Sequence, residues 1–288
     1  LIYTKENPLL YHLEALCRQD NITVLGFEPE NLSVAEWIRF KKLPVSLQAL
    51  QTSELRVRKH ISEIEPLTEA CRIADTALHS LLPTINPGIT EKNLTLQLEN
   101  CIKNLGGEIA FPTIVAFGRN AASPHHKSDT TKLKKLDSIL IDFGAKIDGY
   151  HSAMTRTFFI GTPNEKYRDM YIAVLTSQQT AVDFIEKQLR NSLPLHAADV
   201  DKAARNYLLS LGYPSIPHSL GHGIGLAVHE SPSLSPTSSD ILTDGMVFSI
   251  EPGIYLPGEI GIRIEDLYVI KQQKLIRLTQ FPSHLKQI

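Results

Sequence analysis

Apolar positions along this chain switch between helical and strand spacing in an order that occurs twice. From about residue 62 onward, Ala70, Ile73, Ala74, Ala77, Leu78 and Leu81 fall on one helical face, which predicts a helix closed by Pro83. Asn86-Pro87-Gly88 marks a turn, and Thr90 is placed to cap a second helix whose inward stripe is Leu94, Leu98, Cys101, Ile102 and Leu105, ended by Gly106. The spacing then becomes strand-like. Ser138 to Ile147 is rich in aliphatic and β-branched residues, Asp148-Gly149 is a turn signal, and Thr155 to Ile160 resumes strand chemistry, so a hairpin is expected. The same order returns in the second half. A long amphipathic helix starts at Pro163-Asn164 with Tyr167, Met170, Tyr171, Val174, Leu175 and Ile185 inward. A second helix runs from about Ala197 to Leu211, and strands follow at Met246 to Tyr255 and Gly261 to Ile270. Two helices and then a strand pair, repeated, predict an α+β domain of pseudo-symmetric halves whose sheets face a shared cleft. Element order alone carries this expectation, because no sequence identity is visible between the halves.

Residues 1 to about 60 have a different texture: an apolar opening, a short strand-like Thr23 to Glu28, and a helix from Ser33 to Lys42. That is too little for an independent domain of ordinary size. The chain opens on Leu1 rather than Met, so a piece of the natural N-terminus is expected to be absent. With 288 residues, 42% of them apolar and 21% charged, there is ample material for a core. The formal net charge of −2 supplies no field for phosphate backbones or acidic lipid, so neither nucleic acid nor membrane is an expected partner. Cys17, Cys71 and Cys101 are odd in number, far apart and without C-x-x-C spacing. They argue against a disulfide framework or a thiolate zinc site and for reduced core thiols in a cytoplasmic protein. No apolar run reaches the ~20 residues of a membrane span, and Leu1 to Asn7 lack a charged-then-apolar leader pattern.

Acidic residues inside strongly apolar strands call for chemistry. Asp142 follows Ile139-Leu140-Ile141, Glu251 follows Val247-Phe248-Ser249-Ile250, and Glu265 sits in Ile262-Arg263-Ile264-Glu265-Asp266. A buried carboxylate is costly unless it is paired or bound to a cation, and a single one is usually a salt-bridged structural acid. Three near Gly- or Pro-marked strand positions point instead to a site. Imidazoles come from Leu220-Gly221-His222-Gly223-Ile224-Gly225-Leu226-Ala227-Val228-His229-Glu230, where glycines around His222 would let the backbone approach a ligand closely and disfavour a helix. Pro124-His125-His126 is a weaker signal, equally compatible with an exposed loop. Glu230, Asp266, Lys127 and Asp129 read as solvated or supporting groups. Oxygen-rich donors with one imidazole suit manganese, cobalt, iron or zinc.

Taken in order, these stretches resemble the pita-bread metallopeptidase family (M24 type), which contains methionine aminopeptidase, aminopeptidase P and prolidase. The matching segments are Phe111-Pro112-Thr113-Ile114-Val115 with Pro124-His125, Ile141-Asp142-Phe143-Gly144-Ala145 through Thr155-Arg156-Thr157-Phe158, and His218-Ser219-Leu220-Gly221-His222-Gly223-Ile224-Gly225. Ser249-Ile250-Glu251-Pro252-Gly253-Ile254-Tyr255 and Gly261-Ile262-Arg263-Ile264-Glu265-Asp266 complete the set. The wording around His222 and Glu251 is similar to the Xaa-Pro dipeptidase (prolidase) and aminopeptidase P branch. Leu55-Arg56 followed by Lys59 resembles that branch's linker, and residues 1 to about 50 resemble the tail of its creatinase-like N-terminal domain, whose front is absent.

The resemblance implies a tail and linker over 1–60, a pita-bread domain over 61–288, and two divalent metal ions (Mn, Co or Zn). It also implies a homodimer and a substrate that is an Xaa-Pro dipeptide or a peptide with proline at the second position. By the same resemblance, Asp142 holds the second metal, His222 and Glu251 the first, and Glu265 bridges both. Glu251 also shuttles a proton, His125 and His229 contact substrate and steady the tetrahedral intermediate, and Tyr255 and Arg263 orient the carboxylates. The family's other bridging Asp falls where this chain has Ser152-Ala153-Met154-Thr155-Arg156-Thr157. Ala153 offers no oxygen, so hydrolysis is expected to be strongly impaired. The leading account is an engineered silencing change, since the rest of the motif set is intact. A natural pseudo-peptidase that binds peptides or proteins comes second, and a metal-free creatinase-type hydrolase third.

Overall fold

Helix starts follow from caps written into the sequence. A computed structural model describes residues 4, 9–29, 31–50 and 52–288, and the chain divides into two units, Leu1–Leu55 and Arg56–Ile288. In the first unit, α1 (Leu9–Gln19) precedes β1 (Val24–Phe27), α2 (Val34–Phe40) and β2 (Ser46–Ala49), and the two strands pair in parallel. Ser33 caps α2, its hydroxyl accepting from the Glu36 N–H while the Glu36 carboxylate accepts from the Ser33 N–H at 3.0 Å. The apolar opening of the sequence lies in part outside the described residues. A short helix α3 (Ser53–Val57) spans the boundary.

The second unit opens with α4 (Ile61–Leu81) and α5 (Glu91–Asn104). Pro83 falls in a single 3₁₀ turn after α4, and the Thr90 hydroxyl caps α5 by accepting from the Asn93 N–H at 3.2 Å. Leu94, Leu98 and Ile102 are buried as their spacing predicts, but Cys101 is only half-buried and Leu105 is exposed, because the helix has already ended at Asn104. Of the three thiols, Cys17 and Cys71 are buried.

Strand order corrects the expected first hairpin. The run from Ser138 to Ile147 is not one strand but two, β5 (Ser138–Phe143) and β6 (Ala145–Ile147), after the short β3 (Glu108–Ile109) and β4 (Ile114–Phe117). The tight hairpin joins β6 to β7 (Tyr150–His151) around Asp148-Gly149, and β8 (Met154–Phe159) pairs antiparallel with β5. Two three-stranded sheets result, in the orders β4-β5-β8 and β3-β6-β7.

The second helix pair follows the sequence closely. In α6 (Glu165–Arg190), capped by Asn164, Met170, Tyr171, Val174 and Ile185 are buried, and α7 (Ala197–Ser210) packs beside it. The later strands are each cut in two. Where one run was expected at Met246 to Tyr255, β9 (Gly221–Gly223) and β10 (Glu230–Leu234) lead to β11 (Val247–Ile250) and β12 (Gly253–Leu256). The run at Gly261 to Ile270 becomes β13 (Ile260–Arg263) and β14 (Asp266–Lys271), followed by β15 (Lys274–Arg277). The sheets are β10-β9-β11-β14-β15 and the pair β12-β13. One apolar core lies between α6, α7 and the five-stranded sheet and includes Phe248 and Ile270, both fully buried. Another lies between α4, α5 and β4-β5-β8 and includes Phe117 and Ile141. Burying such a side chain stabilises the fold by roughly 1.5–3 kcal/mol, which is what holds the halves rigid around the cleft.

Candidate metal centre

The carboxylates of the cleft sit at or beside strand ends. Asp142 is the penultimate residue of β5, opposite Ile114 on β4 and Thr155 on β8. Glu251 follows β11 directly and precedes Pro252, whose missing N–H cannot continue a ladder. Glu265 occupies the gap between β13 and β14, fixed by its N–H donating to the Thr155 carbonyl at 3.1 Å. The breaks that correct the expected strand boundaries therefore fall next to the candidate site carboxylates.

His222 lies at the centre of β9. A Cβ on Gly221 would come within 1.9 Å of the Ser249 carbonyl, and one on Gly223 within 2.2 Å of the Ser231 carbonyl. These glycines thus admit the backbones of neighbouring strands, not a ligand as the sequence suggested. The close packing positions His222, whose N–H donates to the Ser249 hydroxyl at 3.0 Å.

A cavity of about 420 Å³ is lined by Asp142, Ala153, His222, Glu251 and Glu265, together with His125, His229 and Arg263. Donor atoms of His222, Glu251 and Glu265 lie within 4.8 Å of one another, with His222 Nε2 3.5 Å from Glu251 Oε1. His222 Nδ1 donates to the Gly223 carbonyl at 3.0 Å, which leaves the Nε2 lone pair facing the carboxylates. Burial lowers the His222 pKa, so the ring is held neutral. Burial also pushes the Glu251 carboxyl up to about 8, with Asp142 adding to the rise and Arg263 opposing it. Glu265 is raised as well, first by burial and then by the charges of Glu251 and Asp142. A neutral imidazole beside two carboxylates whose charge is penalised is a donor set that a divalent cation fits, since the cation would relieve that penalty.

Asp142 lies outside the three-residue group. Its Oδ2 accepts from Arg263 Nη2 at 2.5 Å, and both side chains are largely buried. Arg263 also donates to the Tyr255 hydroxyl at 2.8 Å and to Thr155 Oγ1 at 3.1 Å, and Thr155 Oγ1 donates to Glu265 Oε2 at 2.7 Å. One guanidinium therefore ties Asp142, Tyr255 and, through Thr155, Glu265 into a single network. Ala153 is 2% exposed and packs with Leu67, Cys71 and Ile224, so its methyl group closes an apolar wall of the cavity.

His125 and His229 are exposed at the cavity, and the His229 ring stands 4.3 Å from that of His222. His126 is turned elsewhere, its Nε2 2.7 Å from the buried Glu91 carboxylate, which also accepts from Asp129 N–H at 2.9 Å. Sequence reasoning gave His218 no role of its own. It lines the cavity, sits 2.9 Å from the Tyr255 hydroxyl, and has its pKa lowered to about 4 by burial. Its place four residues before His222 in the same Gly-marked stretch was the available signal. Glu230 and Asp266 are not solvated: Glu230 pairs with Lys59, and Asp266 with Arg156 and Arg277. Lys127 and Asp129 are exposed.

The chain has counterparts among known proteins. Residues 65–272 match the metallopeptidase family M24. The Xaa-Pro dipeptidase of Pyrococcus furiosus is 38% identical over 234 residues, covering 81% of this chain and 66% of that protein. The solved Xaa-Pro dipeptidase from Bacillus anthracis superposes with a TM-score of 0.90 at 32% identity, over 97% of this chain and 78% of that one. The X-Pro aminopeptidase from Thermotoga maritima superposes with a TM-score of 0.91 at 31% identity, over 99% and 81%. The chain belongs to metallopeptidase family M24 and has its pita-bread fold.

Proposed function

We propose that this chain carries the site of a proline-specific exopeptidase, acting on Xaa-Pro dipeptides or on peptides with proline second, and that Ala153 leaves it strongly impaired. The observation that supports the reading most is the joining of His222, Glu251 and Glu265 at one cavity that also holds Asp142, His125 and His229. The names of the relatives divide between dipeptidase and aminopeptidase.

In this reading His222, Glu251 and Glu265 would hold one divalent cation, and Asp142 with Glu265 is what the protein would retain for a second. Bound divalent cations supply Lewis-acid polarisation of the scissile carbonyl and acidification of water. The remaining work belongs to the protein. Glu251, ionised when a cation is bound, takes a proton from the attacking water and passes it to the leaving amine. His229 donates to the oxygen on which charge develops, and His125 holds the substrate from the open side. Arg263 and Tyr255 keep Asp142 and Glu265 in place through the hydrogen bonds described above. Proline is selectable because its ring lacks an N–H and fixes φ, so a shaped pocket can distinguish it.

Ala153 removes one negative charge and two oxygens from a site meant for two neighbouring cations. Only Asp142 and Glu265 would remain to hold a second cation, with less counter-charge between the two, and hydrolysis would fall. Metal analysis of this chain beside its Ala153→Asp variant, with hydrolysis of an Xaa-Pro dipeptide, tests the reading. A folded, metal-loaded Asp variant that cleaves no such peptide overturns it in favour of a peptide- or protein-binding pseudo-peptidase, which the preserved cavity would serve. The same reading carries manganese, cobalt or zinc as the metal, a homodimer and cytoplasmic residence, checked by elemental analysis, light scattering and cell fractionation. Among the described residues, no helix is long and apolar enough to cross a membrane.

A further inference from the structure

Outside the metal centre, a buried ion pair stands beside the loop that carries His229. Lys59 Nζ lies 2.5 Å from Glu230 Oε1, and their side chains are 1% and 5% exposed. Charges so far out of water are retained only with close partners, and here each partner is itself anchored. The Lys59 N–H donates to the Gly245 carbonyl at 2.7 Å, Arg58 bridges Met246 just before β11, and Arg58 Nε donates to the Asp244 carbonyl at 3.0 Å. On the other side, Glu230 begins β10 and is paired with Gly223, the residue after His222. Its second carboxylate oxygen accepts from the Ala227 N–H at 3.3 Å.

The turn between them is built around the pair. A Cβ on Gly225 would come within 2.6 Å of Glu230 Oε1 and 3.0 Å of Lys59 Cε, so only glycine lets the loop backbone lie against both charges. The Gly225 carbonyl accepts from the His151 N–H at 2.9 Å, and the Gly225 N–H donates to the Ala227 carbonyl at 3.0 Å. His229 immediately precedes Glu230, so the carboxylate held inward at Lys59 anchors the backbone from which the His229 ring reaches the cavity and meets that of His222.

The geometry points to Lys59 as a positioning residue: through its ion pair with Glu230 it clamps the 224–230 loop and fixes His229 against the cavity. The clamp rests on the proposed peptidase reading only for its catalytic consequence. Its structural half is tested on the chain as it stands, by amide hydrogen exchange of Lys59→Met and of the uncharged double variant Lys59→Met with Glu230→Gln. The double variant leaves no lone buried charge and keeps the fold accessible if the single variant unfolds. Exchange in 224–230 should rise by about tenfold or more, with α6 and α7 unchanged, and Lys59→Arg should restore protection. In the Ala153→Asp background, Lys59→Met should lower kcat for the dipeptide Ala-Pro by about 10- to 100-fold, with KM within about twofold and metal content unchanged. Parental protection of the loop in the folded double variant overturns the clamp. An unchanged kcat in an active Lys59→Met enzyme overturns its positioning role. If the Ala153→Asp chain hydrolyses nothing, the peptidase reading fails while the exchange result still decides the clamp.

Discussion

The two sides of the cavity floor treat charge differently. On the side of the five-stranded sheet, His222, Glu251 and Glu265 converge, a neutral ring beside carboxyls whose ionisation is opposed by burial. On the side of β5 and β8, Asp142 is already matched by Arg263, and Ala153 adds an apolar wall. The first side gains from a cation because nothing in the protein fully offsets its charge. The second has one carboxylate with a guanidinium against it, so a cation there would compete with Arg263 for Asp142. In the proposed reading, the difference is how a single residue unbalances a two-cation site without disturbing its fold: a buried methyl packs well, but it supplies neither charge nor donor atoms.

Restoring the missing group should give the largest effect. Ala153→Asp is expected to raise bound metal from one equivalent to two and to increase Xaa-Pro hydrolysis by about four orders of magnitude, equivalent to about 5 kcal/mol of barrier. Elemental analysis and steady-state kinetics check it, and one equivalent in both proteins would erase the contrast between the two sides.

Within that restored background, His229→Ala should lower turnover by roughly two to four orders of magnitude and leave metal content unchanged. Loss of metal would instead move His229 among the ligands. A smaller change is expected from Tyr255→Phe, which takes away the hydroxyl that Arg263 Nη1 donates to and that stands 2.9 Å from His218 Nε2. Metal affinity should weaken by about 10- to 100-fold, read by competition with a chromophoric chelator. An unchanged affinity would show that Arg263 holds the carboxylates without help.

The smallest effect is on the pH dependence of stability in the metal-free protein. With Glu251 raised from 4.5 to about 8 and Glu265 also raised, the folded chain binds more protons than the unfolded chain across that window, so stability falls as pH rises through it. His218, lowered from 6.5 to about 4, has the opposite sign and adds stability as pH rises between those values. Above pH 6.5 the His218 contribution is complete and the carboxyls dominate. Tm in excess chelator should therefore drop by a few degrees, about 2–6 °C, between pH 6.5 and 8, and added manganese should remove the slope. A flat profile without metal would mean that the carboxyls of the five-stranded side are not strained by burial.

Much of this was legible in the residues. Helical spacing at Ala70 to Leu81 and at Met170 to Ile185, with Thr90 and Asn164 as caps, located three of the four long helices of the second unit by local chemistry, and the fourth began at Ala197 as expected. Acids following apolar runs marked Asp142, Glu251 and Glu265, because such residues need a partner wherever the chain folds. Strand boundaries were less legible. The runs at 138–147, 246–255 and 261–270 each read as one strand, since periodicity does not report where a chain changes sheet.

The sequence by itself determined the repeated helix–strand order and the side chains that could serve as donors to a cation, because these depend on residue type and local spacing. Only the tertiary structure decided that Asp142 faces Arg263, that Glu91 rather than the cavity holds His126, and that Lys59 reaches Glu230 across 171 positions of chain. Those pairings join residues far apart in the chain, and hydrogen bonds and ion pairs act over a few ångströms. No pattern along the chain encodes which distant groups will be brought that close until the sheets have packed.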